Sequence, residues 1–425
     1  MCLRHGRKEA ARLLLVAPPN SYRTVPYLEA ARRQGVTALV ASEGKFSLVS
    51  EIAEGLHVDL EDPAAVERLL AASAANPFTG VVATDDTSVE LASRVAEALN
   101  LPHNPPQAAR LSRRKDLSRQ ALSAAGVPVP RFRVIDLQRP MPFPFDGLEF
   151  PCVIKPLSLS ASRGVIRVDD ADKLAAACSR VGRILAAEKT RDSFAASHLL
   201  IESFVSGPEI ALEGLLHRGR LNVLAIFDKP DPLEGPFFEE TYYITPSRHD
   251  EETSTRICRR VEEACQALGL REGPVHAEVR IRQGDGVIIE LASRTIGGDC
   301  ARLLRFGTGQ TLEDLVISHA VGAPLPVLPQ EGGAGVLMIP IPEAGILRRI
   351  EGIAQARAVP WIDDILISIR EGYELVPLPE GASYLGFIFA HAPTPAEAET
   401  ALREAHAKLK IVVAPMMVLE DGRDA

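Results

Sequence analysis

Two glutamates, Glu278 and Glu290, lie in one short stretch, residues 275–298, V-H-A-E-V-R-I-R-Q-G-D-G-V-I-I-E-L-A-S-R-T-I-G-G. Carboxylates are hard oxygen donors, so two of them on rigid strands suit a divalent cation that carries phosphates. Arg294 follows, a planar fork that matches a pair of phosphate oxygens, and then the flexible Gly297-Gly298. Upstream stand two lysines, Lys115 and Lys155, the second leading into Leu157-Ser158-Leu159-Ser160-Ala161-Ser162-Arg163-Gly164. A loop of small residues exposes backbone N–H groups and hydroxyls that suit a phosphate tail. Each feature also has a plainer reading. The acids could be a solvated hairpin face, the loop merely mobile, Lys115 a surface lysine and Arg294 an ion-pair partner.

These residues need rigid elements to hold them. Val275, Ala277, Val279 and Ile281 alternate with His276, Glu278, Arg280 and Arg282, the period of a strand. Glycines at 284 and 286 separate that run from a second apolar run, 287–291, so the pair reads as a β-hairpin. An odd number of loop residues would put Glu278 and Glu290 on one face, and a register centred near Gly284 would set them opposite, with Cβ atoms roughly 5 Å apart. Like charges so opposed are destabilising unless something positive lies between them. Residues 151–156 predict a strand with Lys155 at its exit, 165–168 a second, and 199–209 a strand entering a turn. Residues 210–216 and 221–227 read as antiparallel strands. The acidic, aromatic segment 231–243 is placed as a loop over a site. Helices are expected over 113–125, 170–187, 251–268 and 312–320.

At the N-terminal side, strands at 12–17, 36–41 and 80–84 alternate with helices at 25–34, from Asp62-Pro63 onward, and from an Asp85-Asp86-Thr87 cap to Leu99. That alternation implies a parallel sheet with right-handed crossovers. Asn104-Pro105-Pro106 marks a boundary. The last hundred residues predict strands at 335–340, 382–391 and 411–413, with a capping box at Thr394-Pro395-Ala396-Glu397 opening a helix. Loops are expected at 140–150 and 322–333, with an acidic tail at the end.

The 425 residues allow two to four structural units, and a formal charge of -9 without a basic stripe argues against a nucleic-acid surface. Six scattered cysteines without C-x-x-C spacing fit a reducing cytosol. The apolar run at 13–16 is too short for a signal sequence, and no run approaches the roughly 20 residues of a membrane span. A soluble, cytoplasmic protein is the expectation. There is no P-loop, no kinase catalytic loop, no H-E-x-x-H and no G-x-S-x-G.

The remaining ordered set is Lys115, Lys155 with its Ser/Gly loop, E-S-F-V-S-G-P-E at 202–209, the hairpin acids and Arg294. This order resembles the ATP-grasp superfamily over about residues 110–322. The resemblance implies an α/β (α+β) chain with an ATP-grasp fold. Its parts would be an N-terminal parallel α/β half-domain (1–108), a two-lobed nucleotide-binding unit (109–325) and a C-terminal α+β portion (326–425) completing the large lobe. The small lobe would take about 130–205 and the large lobe, with the metal site, about 206–325. ATP and Mg²⁺ are implied, with two ions and Mn²⁺ able to substitute. By the same resemblance Lys115 and Lys155 reach the phosphates, and Ser160, Ser162 and Gly164 close over them. Glu202, Ser203, Phe204 and Val205 hold the adenine, and Glu209 the ribose hydroxyls. Glu278 and Glu290 bind the metal. Arg294 and Lys155 act on the transferred phosphate.

Many members read E-x-N-x-R at the second acid, the Asn being a third metal ligand. Here the stretch is Glu290-Leu291-Ala292-Ser293-Arg294, and alanine cannot coordinate. A small residue at that position also resembles the L-amino acid ligases that make dipeptides. Those enzymes carry an F-E-x-x-H loop facing the amino acid. Phe238-Glu239-Glu240-Thr241-Tyr242 is similar, with Tyr242 in place of His, which implies Glu239, Tyr242, Gly297 and Gly298 on the substrate. The expected function is an ATP-dependent carboxylate–amine ligase working through an acyl phosphate on small-molecule acids and amines. Its alternatives are a biotin-carboxylase-like or purine-biosynthetic enzyme and a non-catalytic nucleotide-binding module. No nucleic acid or membrane partner is expected, and a homodimer follows by family analogy.

Overall fold

A computed structural model describes residues 11–43, 53–139, 149–188, 190–305, 309–324 and 331–416. The expectations for the extreme N-terminus, the acidic tail, most of the 140–150 loop and half of the 322–333 loop lie outside the described residues.

The first sheet is parallel, with strands β1 (Arg12–Val16), β2 (Thr37–Ser42), β3 (Glu54–His57) and β4 (Gly80–Ala83) in the order β3-β2-β1-β4. β1 is buried throughout, as its run of three leucines and a valine requires when helices cover both faces. The strand order reverses direction between β1 and β4, so the loops leaving their carboxyl ends flank a crevice. β3 was not anticipated, because E-G-L-H is short and mostly exposed. The helix expected from an Asp85 cap starts later, at Val89, with Ser88 as its N-cap. Asp85 is instead taken by the Thr84 hydroxyl and Arg23 Nη1, each at 2.6 Å, and by the Ser21 hydroxyl.

The helix expected over 113–125 is present as Lys115–Ala124, and a separate helix, Pro106–Arg113, precedes it and was not anticipated. Arg114 between them is extended, at φ -102° and ψ 107°, and its guanidinium grips Asp116 at 3.0 and 2.9 Å and Asp192 at 2.6 Å. No proline or glycine marks this break; the ionic contacts of Arg114 with nearby Asp116 and distant Asp192 hold it. The Lys115 N–H donates to the Leu157 carbonyl at 2.9 Å, docking the second helix on the small lobe.

The small lobe is an antiparallel sheet of β5 (Phe132–Asp136), β6 (Cys152–Pro156), β7 (Ile166–Val168) and β8 (His198–Ser203), in the order β5-β8-β6-β7. The helix Ala171–Ala187 covers it, burying Leu174, Cys178 and Val181 against Ile154, Val168 and Ile201. Asp170 caps that helix by accepting from the Lys173 N–H at 3.0 Å.

The large sheet joins β9 (Glu209–His217), β10 (Arg220–Lys229), β11 (Tyr242–Thr245), β12 (Glu272–Arg282) and β13 (Asp285–Ala292) to strands from the C-terminal portion. Those are β14 (Gly333–Ile339), β16 (Ile362–Ile367) and β18 (Gly386–Ala392), giving the order β13-β12-β9-β10-β11-β14-β18-β16. A small sheet of β15 (Gly345–Glu351), β17 (Glu374–Leu375) and β19 (Lys410–Ala414) completes the described residues. The C-terminal portion therefore extends the large lobe. Strands β15, β16 and β17 were not anticipated. β11 corrects the expectation of a loop through Tyr243: Tyr242 to Thr245 are all buried and pair with β14, so no alternation betrayed them.

The helix Glu251–Leu268 shows why β12 is placed so firmly. Its apolar stripe, Ile257, Val261, Ala264 and Leu268, packs on Val275, Ala277, Val279 and Ile281. Gly269 ends it at φ +77°, a conformation that glycine adopts without a Cβ penalty. The opposite face of β12 is left to carry Glu278.

Candidate active site

The hairpin turn contains two residues, Gln283 and Gly284, both at positive φ, between the paired Arg282 and Asp285. An even loop alone would set Glu278 opposite Ile289. A β-bulge next to Glu278 supplies the missing residue: Val279 pairs with Ile288, but Glu278 pairs with Glu290. The two acids therefore face each other as expected, through a bulge rather than an odd loop. The carbonyl of the extra residue, Ile289, accepts from Arg119 Nη2.

Arg119 is fully buried and ties the hairpin to the hinge. Its Nε donates to Glu202 Oε1, while Lys155 Nζ lies 2.8 Å from Glu202 Oε2. Burial would raise the Glu202 carboxyl, but Arg119 and Lys155 prevail and hold it below its usual range. The Glu202 carboxylate is thus a fixture for Lys155. The hinge backbone beyond it is itself held, with Ser203 N–H donating to Arg131 and Phe204 N–H to Pro151.

A second buried cation organises the acids. Lys229 Nζ sits 2.8 Å from Glu209 Oε1 and 3.6 Å from Glu278 Oε1, and it also contacts Glu240. Glu209, Glu240 and Glu278 converge within 4.8 Å of one another, but the cation among them is this ammonium. Burial opposes the Lys229 charge, yet the three carboxylates hold its pKa well above the ordinary value. Burial likewise lifts Glu240 to about 7 against the pull of Lys229. Glu278 stays ionised: burial would raise it, but Lys229 and His276 hold it well below the carboxylate range. Glu209 has both oxygens engaged, the second by Arg280 Nε at 2.6 Å.

Lys115 Nζ donates to the Leu159 carbonyl at 2.8 Å and to Glu290 Oε1 at 3.3 Å. Arg294 Nε donates to Asp86 Oδ2 at 3.0 Å, and its Nη1 to the Thr295 carbonyl at 2.9 Å. Positive charge therefore flanks Glu290 from two sides.

One cavity of about 670 Å³ gathers these groups. Lys115, Lys155, Ser160, Ser162, Glu202, Ser203, Phe204, Val205 and Glu209 line it, as do Glu278, Glu290, Arg294, Gly297 and Gly298. Ala161 and Ser162 hold positive φ, a strained shape for non-glycine residues in a loop beside the lysines. Glu278 and Glu290 also suit a divalent cation here, being opposed, ionisable and open to the cavity.

Three expected residues are not among those lining the cavity. Gly164, at φ +72°, makes a turn: its N–H donates to the Pro379 carbonyl, and a Cβ there would lie 2.7 Å from Pro156 Cγ. Glu239 and Tyr242 are displaced from the cavity by their neighbours Glu240 and Tyr243, which line it. Tyr242 packs in the C-terminal core, with the Arg403 guanidinium 4.3 Å from its ring.

The reading from sequence missed the whole contribution of the first sheet. Tyr22, Arg23, Asp85 and Asp86 line the cavity from the loops after β1 and β4. Gly298 N–H donates to the Tyr22 hydroxyl at 2.7 Å, and Arg23 Nη2 to the Ile296 carbonyl at 3.2 Å. The reversal of strand order at β1 and β4, which the sequence does not display, is what brings these loops to the cavity. Met338, Leu366, Tyr384 and Phe387 of the C-terminal portion also line the cavity, an apolar contribution that carried no motif.

Three family models match in order: the ATP-grasp N-terminal domain at 28–103, the ATP-grasp domain at 148–302, and the L-amino acid ligase C-terminal domain 2 at 337–414. The chain belongs to the ATP-grasp superfamily. Within it the resemblance is to L-amino acid ligases. The crystal structure of the L-amino acid ligase from Bacillus licheniformis superposes with a TM-score of 0.78 at 28% identity, covering 96% of this chain and 100% of that one. Alanine–anticapsin ligase of Bacillus subtilis (strain 168) is 26% identical over 219 residues, 48% of this chain and 46% of that protein. Dapdiamide A synthase of Enterobacter agglomerans is 27% identical over 243 residues, 55% of this chain and 54% of that protein. The matches thus span about half the length of these two curated relatives. Among the described residues no helix of this ATP-grasp protein is long and apolar enough to cross a membrane.

Proposed function

We propose that the protein is an ATP-dependent carboxylate–amine ligase that joins L-amino acids or similar small acids and amines. The observation that supports this reading is one cavity of about 670 Å³ lined by the lysines, the opposed acids and Arg294 together with the apolar Met338, Leu366, Tyr384 and Phe387. ADP and phosphate would be its other products.

In this reading the acceptor carboxylate attacks the γ-phosphorus, the bond to the bridging oxygen breaks, and ADP leaves. The amine then attacks the resulting acyl phosphate, loses a proton, and phosphate departs. Such transfers need charge neutralisation and alignment more than covalent help. Glu278 and Glu290 would hold Mg²⁺, two ions with Mn²⁺ as a substitute, which would supply neutralisation of the phosphate charge. Lys155, held by Glu202, and Arg294, held by Asp86, arrive preorganised, so little reorganisation is needed as charge develops. Glu240 and Tyr243, rather than Glu239 and Tyr242, face the substrate. Ser160 and Ser162 sit over the phosphates and exclude water from the acyl phosphate. Buried, unpaired Cys152, Cys178, Cys265 and Cys300 are compatible with a reducing cytosol. A homodimer through the first sheet belongs to the same reading by analogy.

The test is a screen of amino-acid pairs with ATP and Mg²⁺, following ADP and phosphate, with Glu290→Gln as control. Pair-dependent ADP release, reduced roughly 10²-fold or more in the control, is expected. Tight ATP binding with no pair-dependent ADP would make the protein a non-catalytic module. Bicarbonate-dependent turnover would make it a carboxylase.

A further inference from the structure

At the far end of β12 from Glu278, three ligand-type side chains converge with no role in the chemistry above. We propose that His217, Glu272 and His319 form a site for one transition-metal cation of the Zn²⁺ class. His217 ends β9 and Glu272 begins β12, paired directly across the ladder; His319 lies in the last turn of the helix Leu312–Ala320. None of the three lines the active-site cavity.

The spacing is that of ligands sharing an ion. Two donors on a tetrahedral Zn²⁺, each at about 2.0–2.1 Å, stand about 3.3 Å apart. Glu272 Oε2 lies 3.3 Å from His319 Nε2 and 3.6 Å from His217 Nδ1, and all three ligand atoms fall within 4.8 Å of one another. The two rings meet edge to face at 90° with centroids 5.6 Å apart.

A second observation points the same way. Glu272 Oε1 accepts from the Arg218 N–H at 3.0 Å, which aims the other oxygen at the histidines. That oxygen, Oε2, is buried and has no hydrogen-bond partner. Such an acceptor calls for a cation or proton. The backbone beneath it is fixed by Asn104, whose Oδ1 accepts from the Arg271 and Glu272 N–H groups at 2.7 and 2.9 Å and whose Nδ2 donates to the Glu272 carbonyl at 2.8 Å. Supports of this kind orient metal ligands. His319 Nε2 also accepts from the Gly273 N–H at 3.2 Å, a bond that metal binding exchanges for ligation. The His217 side chain is 65% exposed, which leaves an entry path and an open fourth position for water.

Two imidazoles and a carboxylate select Zn²⁺, Co²⁺ or Ni²⁺ over Mg²⁺, so this site would fill independently of the nucleotide metals. It would also clamp two parts of the fold. The helix carrying His319 abuts the first sheet, where Gly80 of β4 has no room for a Cβ against the Ala320 carbonyl. An ion at Glu272 would tie that helix to the β9–β12 ladder.

The experiment titrates the chelator-stripped, dialysed full chain with Co²⁺ and then Zn²⁺ in excess Mg²⁺, reading Co²⁺ visible bands and Zn²⁺ calorimetry. One equivalent with the intense bands of four-coordinate Co²⁺, displaced by Zn²⁺, is expected, and Zn²⁺ should raise the Tm. H217Q changes an exposed side chain and should keep the metal-free Tm while weakening Zn²⁺ binding about 10-fold or more; E272Q should do the same to binding. No one-to-one binding in the wild type would overturn the proposal. So would binding that survives H217Q, and loss of binding in E240Q alone would place the ion in the acid cluster around Lys229.

Discussion

Arg294 and Asp86 stand 208 positions apart in the chain, yet the arginine Nε donates to the aspartate Oδ2 at 3.0 Å. The contact carries the loop after β4 into a site shared by the small lobe and the large sheet. Burial works against both charges, but the pairing prevails: Asp86 is held below its usual range, and Asp86 and Glu290 hold Arg294 firmly protonated. A guanidinium held in this way is fixed beside the cavity that it lines. In the proposed reaction that is where the transferred phosphate passes.

Asp86→Asn keeps the shape and removes the charge. Turnover should fall about 10- to 100-fold, as for other supports behind a functional group. The KM for ATP should move much less, because the lost interaction is needed chiefly in the transition state. Steady-state kinetics separate the two. An unchanged kcat would remove Asp86 from any positioning role.

Glu202 predicts an acid-sensitive step in stability. Its folded pKa lies below the ordinary value of 4.5, so the stabilisation is fully present above that value. It is lost as pH falls through the lower folded value. Glu202→Gln leaves Arg119 and Lys155 buried with less compensation and should cost about 3–5 kcal/mol at neutral pH. Urea midpoints from neutral to acid pH should show the gap between wild type and variant closing as the medium is acidified. A constant gap would contradict the ionic account.

Substrate choice should follow the residues that line the cavity. Tyr242→Phe and Glu239→Gln should leave the ranking of amino-acid pairs unchanged. Phe387→Ala enlarges the cavity that Phe387 lines and should shift kcat/KM between large and small apolar substrates by about 10-fold or more. The pair screen measures both. A changed ranking in Tyr242→Phe would restore the reading drawn from the F-E-x-x-Y pattern.

Much of the site was legible because its parts are local. The alternation around Glu278, the small-residue loop after Lys155 and the order of the lysines, acids and Arg294 each need only a few neighbouring residues. What was misread depended on partners far away. The unanticipated helix Pro106–Arg113 is set off at Arg114, which Asp192 grips, and the burial of Tyr242 rests on β14 and Arg403. Asp85 reads as a helix cap until Arg23 and Ser21 are seen to claim it.

By itself the sequence determined which chemistry the chain carries and on which elements, since residue type, period and order are properties of contiguous stretches. Only the tertiary structure decided how those groups are aimed. The bulge at Ile289 that turns Glu290 toward Glu278 is a matter of register. The ammonium of Lys229 among three acids, the Asp86 hold on Arg294, and the exchange of Tyr242 for Tyr243 at the cavity are matters of contact. Register and long-range contact arise when separate elements bury their faces together, and no single stretch records them.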